Sequence, residues 1–239
     1  MNNDLKTLKQ SKSNITSQSH QDKKLTVFLF LSARMYTSDV LQTSYIRHLA
    51  AQYRVIVFIR EQEGADDPIK EYYQHPNITY IITKEPQSRF WMLFNFYLRP
   101  EIMRRFDSIA IKWRNRRVTN RTRLMIRFIA RLFPKRLISP KFLFAIEMRF
   151  VPGNKLFKEY KARFNPSLVL TATPGIQPFD EWAILCARRA GIPSVAMDFS
   201  WDNLTSLPYL VRAPDYLICW DEFEKQSAIE LHEFPPERI

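Results

Sequence analysis

From Leu25 onward, apolar runs alternate with segments of helical periodicity. The run LTVFLFLSA (25–33) is apolar at almost every position, which predicts a strand covered on both faces rather than one with a wet side. SDVLQTSYIRHLAAQY (38–53) predicts one helix, with Ser38 as N-cap and Val40, Leu41, Ile46 and Leu49 on its apolar side. RVIVFIRE (54–61) predicts a second strand and completes a βαβ unit. A short helix around DPIKEYYQ (67–74) then leads to a third strand, ITYIIT (78–83). The alternation resumes after residue 164 with strand SLVLTAT (167–173), helix FDEWAILCARRAG ending at Gly191, strands PSVAMDFS (193–200) and DYLICW (215–220), and the amphipathic EFEKQSAIELHE (222–233). Strands apolar throughout and separated by helices imply an α/β fold, a Rossmann-like, doubly wound parallel sheet. Ligands of such sheets bind at the carboxyl ends of the strands. Four loops qualify: Ser32 to Arg34, Thr171 to Gly175, Ser200 to Ser206, and Trp220 to Glu222.

Two segments break the pattern. Residues 1–23 are almost wholly polar and read as a disordered leader, so one domain is expected over 24–239. The segment KKLTVFLFLSA mimics a short signal peptide, but more than twenty polar residues precede it, and a first strand is the better reading. Between Pro86 and Phe150 there are 16 Lys and Arg against 3 acids (Glu101, Asp107, Glu147), more excess charge than the +12 of the whole chain. This marks a basic, aromatic, helical insertion over 86–164. Within TNRTRLMIRFIARLF, Arg123, Arg127 and Arg131 recur four apart beside Met125, Ile126, Ile129, Leu132 and Phe133, a basic face alongside an apolar one. Three readings stay open. The insertion is a solvated face packed on the domain; it attaches to an anionic membrane, where each basic residue contributes about 1 kcal/mol; or it binds nucleic acid, which ranks last because no recognised binding signature accompanies it.

Composition narrows the chemistry. The 239 residues are 46% hydrophobic, enough for a packed core. Cys186 and Cys219 each lie in an apolar segment and read as small buried hydrophobes in a reducing cytoplasmic compartment. The four histidines have no metal-ligand spacing, and the four glycines form neither a dinucleotide fingerprint nor a P-loop. No metal and no cofactor is expected. In the WDNLTS turn, Trp201 could stack on a sugar face while Asp202 and Asn203 bond its hydroxyls; an Asx-turn over a core Trp201 explains the same residues. Arg34 could hold a phosphate or carboxylate, or be solvated. Thr171, Thr173 and Gly175 fit an anion site or a plain turn, and His232 reads as a residue on a helix face near its C-terminal end.

The stretches FSWDNLTS and PDYLICWDEFEKQSAIELHEFPPERI, with FLSARMYTSDVLQTSYIRHLAAQYRVIVFI, resemble the amino-terminal half of GT-B-type proteins of bacterial surface-carbohydrate synthesis. That superfamily includes UDP-N-acetylglucosamine 2-epimerase and the glycerophosphotransferases of teichoic-acid synthesis. The resemblance covers 25–60 and 167–239 and leaves the basic middle unmatched. It implies two facing Rossmann-like domains, the first contacting the acceptor and the second the nucleotide-sugar. The expectation is therefore an acceptor-side domain, with the second GT-B domain absent from these residues and supplied either by a partner or by a longer polypeptide of which this sequence is a truncated part. The partners implied are a nucleotide-sugar, a glycan or lipid-linked acceptor and, peripherally, the inner face of a membrane. Arg34, Asp202 and Asn203 become candidate cleft residues, supported by Trp201 and Thr205, and no catalytic base is carried over. The alternative is a non-catalytic membrane- or protein-binding module that keeps the half-enzyme fold.

Overall fold

The computed structural model describes residues 24–61, 72–86, 88, 90–91, 125, 128, 140–200, 203–206, 210 and 213–239. Its elements run β1 (Thr26–Leu31), α1 (Arg34–Leu41), α2 (Ser44–Gln52), β2 (Arg54–Arg60), β3 (Ile78–Thr83), α3 (Pro140–Phe150), α4 (Asn154–Phe164), β4 (Pro166–Thr171), α5 (Pro178–Ala190), β5 (Ser194–Met197), α6 (Asn203–Ser206), β6 (Tyr216–Ile218) and α7 (Glu222–His232). The six strands form one sheet in the order β3-β2-β1-β4-β5-β6. Every pairing is parallel. This is the strand order of the dinucleotide-binding α/β folds.

The alternation of side chains along each strand assigns the two faces. Phe28 sits opposite Ile56 and Val169, and these residues belong to a core closed by Phe157 of α4 and by Phe179 and Trp182 of α5. Val27, Leu29, Val55 and Val57 point the other way, into a core closed by Tyr36, Val40, Leu41 and Ile46 of α1 and α2. The chain therefore steps outward from β1 with its helices on one face, and outward from β4 in the opposite direction with α5 on the other face. Opposite directions on opposite faces are what one right-handed crossover rule requires.

Aromatic rings fill the first core. Phe30 stacks on Phe58 with ring centres 4.5 Å apart, Phe28 meets Phe58 edge-on at 4.9 Å, and Trp182 meets Phe30 edge-on at 5.7 Å. Each such pair adds about 0.5–1.5 kcal/mol beyond the area it buries. A third cluster, Ala196, Leu217, Ala228 and Phe234 with Leu204, seats α7 under β5 and β6.

The expected single helix over 38–53 is two. α1 ends at Leu41 and Thr43 caps α2, its hydroxyl accepting from Tyr45 N, so Ser38 lies inside α1 instead of capping it. The five-residue gap from Leu41 to Ile46 would rotate a continuous helix out of phase, and the break at Gln42 and Thr43 restores both to the core. β4 stops at Thr171, two residues short of expectation, and β5 and β6 are shorter at both ends. The helix expected around 67–74 and most of the basic segment lie outside the described residues. α3 and α4 are the parts of the 86–164 insertion that are described as full helices. Among the described residues no helix is long and apolar enough to cross a membrane.

Candidate ligand-binding edge of the sheet

β1 and β4 are neighbours, but the chain leaves them in opposite directions, which opens a crevice at their carboxyl ends. Four buried polar side chains occupy it: Ser32 after β1, Thr171 at the end of β4, Thr173 just beyond it, and Asp180 in the first turn of α5. Thr173 builds the turn into α5, its hydroxyl accepting from the amides of Ile176 (3.2 Å) and Gln177 (3.5 Å). The same hydroxyl donates to Asp180 Oδ2 at 2.6 Å, and the Ser32 hydroxyl donates to that oxygen at 2.7 Å. Thr171 Oγ1 donates to the Thr173 carbonyl at 2.8 Å. One carboxyl thus ties the end of β1 to the end of β4.

Asp180 is fully buried, and its Oδ1 has no well-formed hydrogen bond among the described residues. Burial disfavours the charged form and pushes its pKa up to about 7, against the pull of the Thr173 and Ser32 hydrogen bonds and the more distant Arg60 charge. Arg60, at the end of β2, pairs with Glu85 at 3.4 Å, and burial raises the Glu85 pKa while Arg60 lowers it.

A second polar cluster lies at the end of β5. Asp198 Oδ1 accepts from the Asn203 carboxamide at 2.6 Å and from Ser200 N at 3.4 Å. The Glu224 carboxyl faces Asp198 from the first turn of α7, and both are buried. Glu224 Oε2 accepts from Trp220 N at 2.6 Å, while Asp221 caps α7 by accepting from Glu224 N at 2.8 Å. Two carboxyls in contact bond each other only when one holds a proton. Burial first, then Asp198 and Asp221, therefore push Glu224 up to about 7, against the Trp220 amide that holds it down.

His232 anchors this loop from the other end of α7. Its Nδ1 accepts from Leu210 N at 3.1 Å, which leaves the proton on Nε2 to donate to the Leu204 carbonyl at 2.7 Å. Burial lowers its pKa, against the Leu204 bond.

Arg34 is exposed at the start of α1, and Asn203 and Thr205 are half-buried on α6. β4 separates β1 from β5, so the two loops lie about 10 Å apart across the sheet. The rings of Tyr36 and Phe199, 5.8 Å apart, bridge them, and Phe199 continues edge-on to exposed Trp220. Asn203 commits a donor inward to Asp198 and so positions the loop. Trp201 and Asp202, like Arg123, Arg127 and Arg131, lie outside the described residues. Sequence reasoning missed Asp180, Asp198 and Glu224. Asp198 carried a signal, a carboxylate at the carboxyl end of an apolar strand. Asp180 and Glu224 read as ordinary first-turn acids of helices.

The edge is built from hydroxyls and carboxyls, groups that bond hydroxyl-bearing ligands. The loop after β1, Ser32-Ala33-Arg34, contains no glycine with which to wrap a pyrophosphate. The two carboxyls with pKa raised to about 7, Asp180 and Glu224, are buried and committed to internal partners. Among the described residues no group of three His, Cys, Asp or Glu side chains could hold a metal ion.

No protein-family model and no curated protein sequence matches the chain. Among solved structures it is similar to UDP-GlcNAc 2-epimerase from Neisseria meningitidis bound to UDP-GlcNAc, at 12% sequence identity and a TM-score of 0.38. That alignment covers 90% of this chain and 44% of the epimerase chain, so this chain spans less than half the length of that structure.

Proposed function

We propose that this chain is the acceptor-side domain of a GT-B-like glycosyltransferase of cell-surface polysaccharide synthesis, working on a glycan or lipid-linked acceptor at the inner face of a membrane. The observation that carries the reading is the chemistry of the carboxyl edge. Ser32, Thr171, Thr173, Asp180, Asp198 and Asn203 gather there around the β1/β4 crevice and the β5 loop, while the β1 loop lacks the glycines that a nucleotide diphosphate needs. Hydroxyls and carboxyls suit an acceptor sugar. Arg34 stands at the rim, and Asp202 with Trp201 completes the sugar contacts expected of the WDN turn. The donor nucleotide is held by a second domain, from the same polypeptide or a partner. Catalysis then consists of positioning the acceptor hydroxyl and stabilising the departing diphosphate.

Burial of Asp180, Asp198 and Glu224 favours the second reading, a non-catalytic module in which these carboxyls only hold loops. Thermal melting separates the two, because a ligand bound only by the folded chain raises the midpoint. The proposal expects a rise with soluble acceptor glycosides and none with free nucleotides. No rise with any glycoside overturns the acceptor reading, and a rise with a nucleotide alone moves the donor site into this chain.

A further inference from the structure

Helix α3 presents aromatic side chains on both sides. Phe144 and Met148 pack on the aromatic core and Glu147 is buried, so these positions define the inner face. Phe142 and Arg149, seven residues apart and therefore on one line of the helix, lie on the opposite side, with Phe150 beside them. Phe142 is 59% exposed and Phe150 53%. An ordinary surface helix places charged or polar groups there. Phe90, 48% exposed, joins the patch through its ring, 5.0 Å from that of Phe150. Arg189, exposed at the end of α5, donates to the Met148 carbonyl at 3.0 Å, which sets its guanidinium at the rim. Met125 and Phe128 of the same stretch are also exposed, at 58% and 65%.

Exposed aromatics on one helix face mark a contact surface, and the charge of the sequence segment that carries them names the partner. The stretch from Pro86 to Phe150 carries its 16 basic residues against 3 acids. Phenylalanines that enter the headgroup layer, flanked by Arg149 and Arg189, are the complement of an anionic bilayer surface. We infer that the outer face of α3, formed by Phe142, Arg149 and Phe150 with Phe90 and Arg189, docks the chain on an anionic lipid membrane. This deepens the membrane side of the proposed function by naming the surface, and its readout needs no sugar, so either can fail without the other.

The test is sedimentation of the full chain with vesicles of phosphatidylcholine alone and of phosphatidylcholine with phosphatidylglycerol, at low and high salt. The inference expects binding to the anionic vesicles, weakened by salt. Arg149→Glu should weaken partitioning roughly five-fold or more, since each basic residue near the headgroups contributes about that factor. Phe142→Ser with Phe150→Ser should weaken it about tenfold or more, through lost apolar insertion. Melting midpoints of the variants serve as the fold control, and the single Arg149 change keeps the test alive if the double variant melts early. Equal binding to both vesicle types, or variants that bind like the parent, overturns the inference. So does a chain that binds single-stranded RNA but no vesicles, or a dimer in solution that the Phe changes dissociate without any lipid binding.

Discussion

Replacing Asp180 by Asn tests the buried carboxyl at the β1/β4 crevice directly. Folding raises the Asp180 pKa from the ordinary 3.8 to about 7. Below pH 3.8 both states hold the proton. Between 3.8 and 7 the folded chain keeps a proton that the unfolded chain has lost, so stability falls as pH rises through this window. At about 1.36 kcal/mol per pH unit the full effect is about 4 kcal/mol, an upper figure that is complete above about pH 8. Asn cannot ionise, and its carbonyl can still accept from Ser32 and Thr173. Its amide takes the place of Oδ1, a position without a well-formed partner, at a cost of about 1–3 kcal/mol. The parent has given up about 1.6 kcal/mol of this by pH 5 and about 4 kcal/mol by pH 8, so the variant should lie close to the parent at pH 5 and be clearly more stable at pH 8. Urea midpoints at both pH values measure this, and with a slope of about 3 kcal/mol per M the relative shift is about 1 M. Every other titrating group is common to both proteins. A midpoint difference that stays constant from pH 5 to pH 8 refutes the reasoning.

Glu224→Gln should stabilise the chain at pH 8 by about 0.5–1.5 kcal/mol, because the amide can accept from Trp220 N and donate to Asp198 where two carboxylates otherwise repel. No gain in urea midpoint at pH 8 would show that the pair is not under strain. His232 has the opposite sign: its folded pKa is lowered, so its contribution is present above about pH 6.5 and lost as pH falls below that value. His232→Ala should cost about 2–4 kcal/mol at pH 8 through two lost bonds and a cavity, and the gap to the parent should narrow at pH 5. A cost that does not change with pH would contradict the assignment of a neutral imidazole. Gly153 and Gly191, both at positive φ beside a helix end, should differ. Gly191 closes α5 in open space, so Gly191→Ala should cost about 1 kcal/mol, whereas a Cβ on Gly153 would lie 2.4 Å from Pro86 Cγ, and Gly153→Ala should cost clearly more. Equal melting midpoints for the two variants would remove that packing argument.

The strands were legible because a buried parallel strand is apolar at nearly every position, as TVFLFL is, and the half-buried edge strand ITYIIT also lies where the pattern puts it. Helix α5 was legible from its ends: Pro178 opens it, and Gly191 closes it with bonds from Gly191 N to Arg188 and from Ile192 N to Ala187. The split between α1 and α2 was harder to see, because Ser38 and Thr43 are both acceptable caps and only packing on the sheet chooses between them. Strand ends were overextended at 172–173 and 198–200, where Ala172 and Phe199 prolong the apolar pattern but the backbone turns away. The polar clusters were least legible. Ser32 and Asp180 stand 148 positions apart, and no local period announces a contact that the sheet order creates. Glu224 forms a D-x-x-E start signal with Asp221, which explains its position fully without hinting at Asp198.

The central claim is that the carboxyl edge of this sheet, between the β1 loop and the β5 loop, receives a hydroxyl-rich ligand. Amide hydrogen exchange of the full chain with and without a soluble acceptor glycoside that raises its melting point tests that claim most directly. Slowed exchange confined to 32–41, 172–180 and 198–206 is the result expected. Slowed exchange at the amino ends of the strands, or at none of these loops while the midpoint still rises, would contradict it.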